Sequence, residues 1–237
     1  MTERSFEGYP NGAYHQSCDE AVSILQGAHG TASYLAEVFD YLEMHAEAAD
    51  DAQQAEFAAQ NEELLRAMLI FAGSGLDAMI KQLVQDALAD VINLRNGAQE
   101  RFRRFVEKRL KRGDGPDYSF VAGVIADPDP RLRLVGDLVD DLTSRSLQSV
   151  DEILSVGSYF DIPSPDLIPE PEVTRNVFSV RNQIIHEMDI DFTDSNKSRR
   201  SRRYADMAAH TQELFNVASR FLTAVDAQLN GGSITTE

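Results

Sequence analysis

The 237-residue sequence contains one cysteine, no tryptophan and no long uninterrupted apolar run. A single cysteine, Cys18, excludes an intrachain disulfide and fits a reducing compartment. The most apolar stretch, residues 68–80, includes Asp77 and is shorter than the roughly 20 apolar residues needed to cross a bilayer. The first residues lack the basic and apolar regions of a secretory signal. These absences predict a cytoplasmic protein that has no membrane contact.

Basic residues are scarce in the first quarter of the chain. The formal net charge is −17, and residues 1–63 carry thirteen acidic residues against the single basic residue Arg4. An acidic surface repels phosphates, so the overall charge argues against nucleic-acid binding. Residues 95–112 reverse this balance with a net charge of +6, and residues 197–203 carry five positive charges and no acid. Each stretch is either a solvated helix face or loop, or a local patch that attracts phosphate.

Apolar residues recur at spacings of three and four rather than two, which predicts helices. We therefore expect an all-α fold, a helical bundle with long antiparallel helices and irregular insertions. The expected organisation is an irregular segment over residues 1–16, a single helical domain over residues 17–230 and a flexible tail over residues 231–237. The apolar patterns and turn residues place helices at about residues 17–49, 55–94, 98–112, 130–147, 149–159, 171–188 and 204–229.

Glycine and proline mark the places where these helices are interrupted or closely packed. Gly73 and Gly75 lie within the second long pattern. They either let a neighbouring helix approach closely or kink the helix, since a helical glycine costs ~1 kcal/mol relative to alanine. Residues 113–116 predict the turn that ends the basic helix. Four prolines between residues 161 and 171 predict a non-helical connection to the next helix.

The most informative segment is residues 180–187 (VRNQIIHE), near the end of that next helix. Asn182 and His186 are four residues apart and share a helix face. Arg181 lies about 140° round the helix from His186, a separation that its long side chain can bridge. Asp189 is expected on the same side as His186, which gives a polar edge of four side chains. The opposite, core-facing stripe is predicted to consist of Val173, Val177, Val180, Ile184 and Met188.

The pattern Arg-Asn-x-x-x-His, late in an all-helical sequence, resembles the R-x4–6-H motif of the HEPN superfamily, in particular its RiboL-PSP type. Residues 64–84, with Asp77 embedded in an apolar helix, are similar to a helix of that family. The resemblance extends loosely over about residues 20–228 and is specific at residues 181–186. It implies a helical bundle that dimerises through its motif helices and cleaves RNA without a metal ion or cofactor. Many members are toxins or anti-phage effectors.

The residues of the motif suit that chemistry. Metal-free RNA cleavage needs a base for the 2′-OH proton and positive charge against the phosphorane. On the resemblance, His186 is the general acid/base, Arg181 stabilises the phosphate, and Asn182 orients the phosphate or the ribose. The expected products are a 2′,3′-cyclic phosphate and a 5′-hydroxyl. A tyrosine two residues after the histidine, present in a subset of the family, is replaced by Met188, so control by nucleotidylation is not supported.

The predicted partners are an RNA substrate, a second copy of the chain, and an antitoxin or sensor protein. An alternative is a non-catalytic helical module that binds a protein partner or a nucleotide. A third interpretation has the acidic N-terminal part inhibit the chain's own basic patches. No metal site is predicted, because the other histidines show no metal-ligand spacing. The predicted RNA-binding side chains are Arg101, Arg104, Lys108, Lys197, Arg199, Arg200, Arg202 and Arg203.

Overall fold

The chain forms an all-α helical bundle. A computed structural model describes residues 6–112 and 115–231, and 75% of the structure is helical while 2% is strand. The predicted fold class is therefore confirmed. The α-helices of the described residues are α1 (Asp19–Ala46), α2 (Asp51–Asp86), α3 (Leu88–Leu94), α4 (Asn96–Arg109), α5 (Tyr118–Ile125), α6 (Pro130–Thr143), α7 (Val150–Tyr159), α8 (Ser164–Leu167), α9 (Pro171–Glu187) and α10 (Tyr204–Asn230). A short 3₁₀ helix (Gln16–Cys18) precedes α1, and β1 (Lys111–Arg112) pairs antiparallel with β2 (Gly115–Pro116).

Most of the predicted helices are present, but α5 lies where no helix was predicted, and residues 111 and 112, expected at the end of the basic helix, form β1. The pattern over residues 55–94 is divided at Ala87 into α2 and α3. The proline-rich connection contains α8, so the expectation of a wholly non-helical link was wrong for four residues. Proline is tolerated in the first turn of a helix, where its missing N–H has no helical partner, and Pro165 occupies such a position. Within the expected turn over residues 113–116, residues 113 and 114 lie outside the described residues.

Backbone contacts divide the chain into two compact units. The predicted single domain over residues 17–230 stays a prediction. Residues 1–5 and 232–237, parts of the predicted N-terminal segment and tail, lie outside the described residues. The first unit comprises Met1–Gly12, Ala21–Met79 and Glu170–Ser219, and the second comprises Ala13–Glu20, Ile80–Pro169 and Arg220–Glu237.

The core of the first unit holds the motif helix α9 in place. α9 buries Val177, Phe178, Val180 and Ile184, the middle of the predicted stripe together with its neighbour. Each fully buried apolar side chain of this size contributes ~1.5–3 kcal/mol. The two ends of the predicted stripe, Val173 and Met188, are exposed. Other helices of the unit add Leu25, Leu65, Met68, Leu69, Leu76, Leu214 and Phe215 to this core.

The glycines of α2 mark close approach and not a kink. The helix continues without interruption through Gly73 and Gly75. A β-carbon on Gly75 would lie 2.2 Å from the β-carbon of Ala28 in α1, so only glycine fits at that contact. The first of the two sequence-based alternatives is confirmed at this position.

α2 is also, among the described residues, the helix that is long and apolar enough to cross a membrane. In its most apolar window 56% of the residues are buried inside the protein. Length and composition alone are therefore compatible with both a core helix and a membrane span.

In the second unit, α4 packs against α3, α6 and α7. Phe102 and Phe105 of α4 are buried, as the amphipathic pattern predicts. The rings of Phe160 and Phe221 pack edge to face with centroids 5.7 Å apart. The basic helix is therefore anchored by its apolar face, and its cationic face is left at the surface.

Candidate functional site

The motif helix α9 has well-defined ends. Pro171 occupies the first turn, where the fixed φ of proline is already helical. At the other end Met188 adopts a left-handed conformation with φ 53°, and its N–H donates to the carbonyl of Gln183. The N–H of Asp189 donates to the same carbonyl at 2.9 Å. The helix therefore ends at Glu187, and the chain turns sharply at the two residues that follow.

Arg181 is buried within the first unit. Its residue surface is 3% exposed, although the sequence pattern placed it on a polar edge. It packs against α2 and α10, where a β-carbon on Gly73 would lie 3.5 Å from its Nε and 3.6 Å from Leu214 Cδ1. The guanidinium Nη1 donates to Asn182 Oδ1 at 3.3 Å. These are ordinary van der Waals distances, so an alanine at position 73 would also fit beside the arginine.

Asp77, one turn after Gly73 on α2, acts electrostatically on Arg181. Burial lowers the pKa of Arg181, and the charge of Asp77 partly opposes that shift. Arginine nevertheless stays charged near neutral pH, because its ordinary pKa lies far above 7. The acidic residue that the sequence pattern singled out in the apolar helix is therefore close enough to influence the motif arginine.

His186 lies in the last turn of α9 and is exposed to solvent. Asn182, one turn earlier, is half-buried and accepts the hydrogen bond from Arg181. Solvent exposure therefore increases along the three motif residues, from the buried Arg181 through the half-buried Asn182 to the exposed His186. In a single subunit the imidazole is exposed to solvent, whereas the guanidinium lies in the interior.

The fourth residue of the predicted polar edge is not on that edge. Asp189 is completely buried, whereas His186 is exposed, because the left-handed turn at Met188 and Asp189 ends the helix before residue 189. Arg66 of α2 donates from Nε to Asp189 Oδ2 at 2.8 Å, and Arg202 donates to both carboxylate oxygens. The expectation that Asp189 shares the face of His186 was therefore wrong, and Asp189 instead anchors a buried ion triad.

This triad is the feature that sequence reasoning missed. Burial alone raises the pKa of Asp189, but the hydrogen bonds from Arg202 and Arg66 outweigh it and the pKa is lowered overall. Arg66 is 3% exposed and donates further bonds to Glu62, Glu63 and the carbonyl of Arg200. A lone arginine within the apolar pattern of α2 was the available signal, since a buried charge requires a partner.

The predicted RNA-binding residues of the α9–α10 loop (residues 188–203) are mostly paired within the molecule. Arg199 bonds Glu63 and the carbonyl of Met188, and Arg200 pairs with Glu187 and Asp191. Arg202 is held by Asp189 and Gln183, and Arg203 by Asp206 at 2.8 Å. Lys197 is exposed. Four of the five predicted cations of this loop therefore have an acidic partner in the structure.

The predicted RNA-binding residues of α4 are all exposed, namely Arg101, Arg104 and Lys108. Arg104 donates to Glu100 at 2.9 Å, and Arg103 pairs with Glu100 and with Glu107. These are surface pairs between neighbouring turns, which contribute little and exchange readily with other anions.

Other chemistry is sparse in the part of the chain that the structure describes. Cys18 is buried, and burial together with nearby carboxylates, first Asp226, raises the pKa of its thiol to about 12, so it is not a nucleophile near neutral pH. Among these residues no group of three or more His, Cys, Asp or Glu side chains is arranged to hold a metal ion. A cleft of about 560 Å³ between α4 and α6 is lined by Phe102, Val106 and Leu134 and flanked by Arg131.

No protein-family model, curated protein or solved structure matches this chain. The geometry of the described residues is therefore the basis for assigning a function.

Proposed function

We propose that the protein is a metal-independent endoribonuclease of the HEPN type, acting as a cytoplasmic homodimer in a toxin or anti-phage role. One observation supports this most directly. The last two turns of α9 present an exposed imidazole, His186, one turn beyond an amide, Asn182, that is bonded to the buried cation Arg181. On this proposal the three side chains serve as the proton-transfer group, the polar orienting group and a fixed positive charge on one short stretch of helix.

In this mechanism His186 removes the proton from a ribose 2′-OH. The 2′-oxygen attacks the adjacent phosphorus, and the bond from phosphorus to the 5′-oxygen breaks. His186 of the second subunit begins as an imidazolium and gives the proton that the 5′-oxygen takes up, so one histidine ends protonated and the other neutral. The products are a 2′,3′-cyclic phosphate and a 5′-hydroxyl, and both atoms and charge balance without a metal ion.

The burial of Arg181 defines how it contributes. In the single subunit the guanidinium bonds Asn182 and not solvent, so it fixes the amide that faces the substrate. A buried positive charge is also poorly screened by water, so its field stabilises the negative charge that develops on the phosphorane. The negative charge of Asp77 on α2 favours that cation and partly offsets the cost of its burial.

The direct test is cleavage of a labelled single-stranded RNA in EDTA by the wild type and by His186→Ala. We expect the variant to lose ~10²–10⁴-fold in rate, the usual contribution of a general acid/base. His45→Ala is the matched control, because His45 is also exposed in the last turn of a helix, α1. Equal cleavage by wild type and His186→Ala, or no cleavage by the wild type, contradicts the proposal.

The dimer is tested separately. Sedimentation equilibrium of the wild type should give twice the 26.3 kDa mass of the chain. RNA cleavage that scales with the first power of enzyme concentration in a strictly monomeric sample would show that a second imidazole is not needed.

A further inference from the structure

The outward side of α1 carries an unusual set of residues for a surface helix. Gly27, Gly30, Tyr34, Glu37, Tyr41 and Met44 follow one another at spacings of three and four, and we call this set the α1 face. All six are exposed, with Tyr34 63%, Tyr41 56% and Met44 54% accessible. A surface helix normally places charged residues at the centre of its exposed side, whereas here Glu37 is the single charge.

No close contact within the described residues explains the two glycines. Nothing lies within 4 Å of the β-carbon positions of Gly27 and Gly30. Glycine weakens a helix relative to alanine, and at Gly75 the close contact with Ala28 accounts for it. At the α1 face no such neighbour exists among the described residues. Small residues at a helix surface let the backbone of a second helix approach closely.

The remainder of the α1 face is suited to anchoring a partner. Tyrosine supplies a large contact area at low entropic cost, and methionine adapts to the shape of the surface it meets. Aromatic residues and methionine are also enriched at the centres of protein interfaces. The alternation of three and four residues over more than two heptads is the spacing that keeps a seam facing a second helix.

Charge identifies the partner. No lysine or arginine occurs between Arg4 and Arg66, and acidic residues, including Asp40, Glu43 and Glu47, flank the end of the face. Two copies of this face would repel each other, because like charges would meet in a symmetric contact. A helix with basic flanks matches it.

We propose that the α1 face binds an amphipathic basic helix of a partner protein. The glycine end accepts close backbone contact, and the tyrosine and methionine end supplies the anchors. This binding mode is a helix laid along an apolar stripe, with charge pairs along its edges. It does not depend on the ribonuclease proposal, because it uses none of the motif residues.

The test uses the full chain and a defined probe. The probe is a fluorescent three-heptad peptide with leucine and alanine on one face and lysine on the flanks, and its partner control replaces each lysine with glutamate. Anisotropy titration should show binding of the lysine peptide only. Gly27→Ala/Gly30→Ala should raise the midpoint of thermal unfolding yet weaken peptide binding by roughly tenfold or more, because methyl groups stabilise the helix but block the approach.

Tyr41→Ala/Met44→Ala should weaken binding to a similar degree with little change in unfolding, because the variant removes only a surface ring contact between Tyr41 and His45. Tyr118→Ala, which removes an exposed tyrosine elsewhere, should leave binding unchanged. Absence of binding by the wild type overturns the proposal. So does equal binding by all variants, which would indicate general attraction to an acidic protein. Concentration-dependent self-association that Tyr41→Ala/Met44→Ala abolishes would assign the face to a second copy of the chain, which also overturns it.

Discussion

The α9–α10 loop and helix α4 carry similar positive charge in the sequence, yet the structure treats them differently. In the loop, Arg199, Arg200 and Arg202 are paired with Glu63, Glu187, Asp189 or Asp191, and Asp189 is fully buried, whereas Arg203 is exposed and pairs with Asp206 three residues on. In α4 the cations are exposed and meet acids only one turn away on the same helix. Three of the four arginines in the loop therefore contribute to the fold, whereas the cations of α4 stay at the surface.

The difference shows that counting charges along a sequence identifies the partners of a charged residue in a helix but not those of a charged residue in a loop. Local charge in a helix is predictable, since neighbours at three and four residues are its main partners. Charge in a loop depends on residues far away, such as Glu63 and Arg66, which lie more than 100 positions before the loop. A basic loop is therefore a weaker indicator of nucleic-acid binding than a basic helix face.

Removing the buried acid is the strongest test of this contrast. Asp189→Ala leaves Arg66 and Arg202 without their shared carboxylate, and breaking a buried ion pair costs ~3–5 kcal/mol. Urea denaturation should show this loss in the free energy of unfolding. The matched control is Asp206→Ala, which removes a half-exposed partner of Arg203 and should cost about 0–1 kcal/mol. Equal losses in the two variants would mean that the triad is not a structural centre.

Acid should weaken the same triad. The pKa of Asp189 is lowered in the folded state, so its contribution to stability is complete above its unfolded value, near 3.8, and is lost as the pH falls through the lower folded value. Between pH 5 and pH 2 the free energy of unfolding of the wild type should fall more steeply than that of Asp189→Asn, which cannot titrate there. Parallel curves for the two proteins would contradict this assignment.

The helices and the position of the motif were predictable because they rest on local patterns. The stripe of α9 places Val177, Val180 and Ile184 in the core, and a helix start at Pro171 follows from its fixed φ. The end of α9 between Glu187 and Met188 could not be predicted, because a left-handed non-glycine residue has no clear sequence signal. The burial of Asp189 follows from that turn, so one backbone conformation explains why Asp189 does not share the face of His186.

The environment of Arg181 was not predictable for a related reason. Its surroundings in the interior include Gly73 and the charge of Asp77, and both lie on another helix. A helical wheel assigns a residue to a side of its own helix but does not report the space on a neighbouring helix. The sequence pattern singles out the glycine and the acid separately, and only the fold shows that both lie near Arg181.

The smallest expected effect compares the two basic regions directly. In a His186→Ala background, Arg101→Gln/Arg104→Gln/Lys108→Gln and Lys197→Gln/Arg199→Gln/Arg200→Gln each remove three positive charges. Binding of poly(U) should weaken more for the α4 variant. The slope of log K against log salt concentration should fall in magnitude by about 2 for this variant, since each of three contacts with single-stranded phosphate contributes roughly 0.7.

The loop variant should change the slope of log K against log salt concentration by roughly 0.7 or less, the value of a single phosphate contact, because Arg199 and Arg200 are held by Glu63 and Glu187. Since both variants alter the net charge equally, any difference between them reports where RNA binds and not how acidic the protein is. A larger effect from the loop variant would mean that phosphate displaces those carboxylates. The pairing seen in the structure would then be a resting state that RNA opens, and the contrast between loop and helix would be reversed.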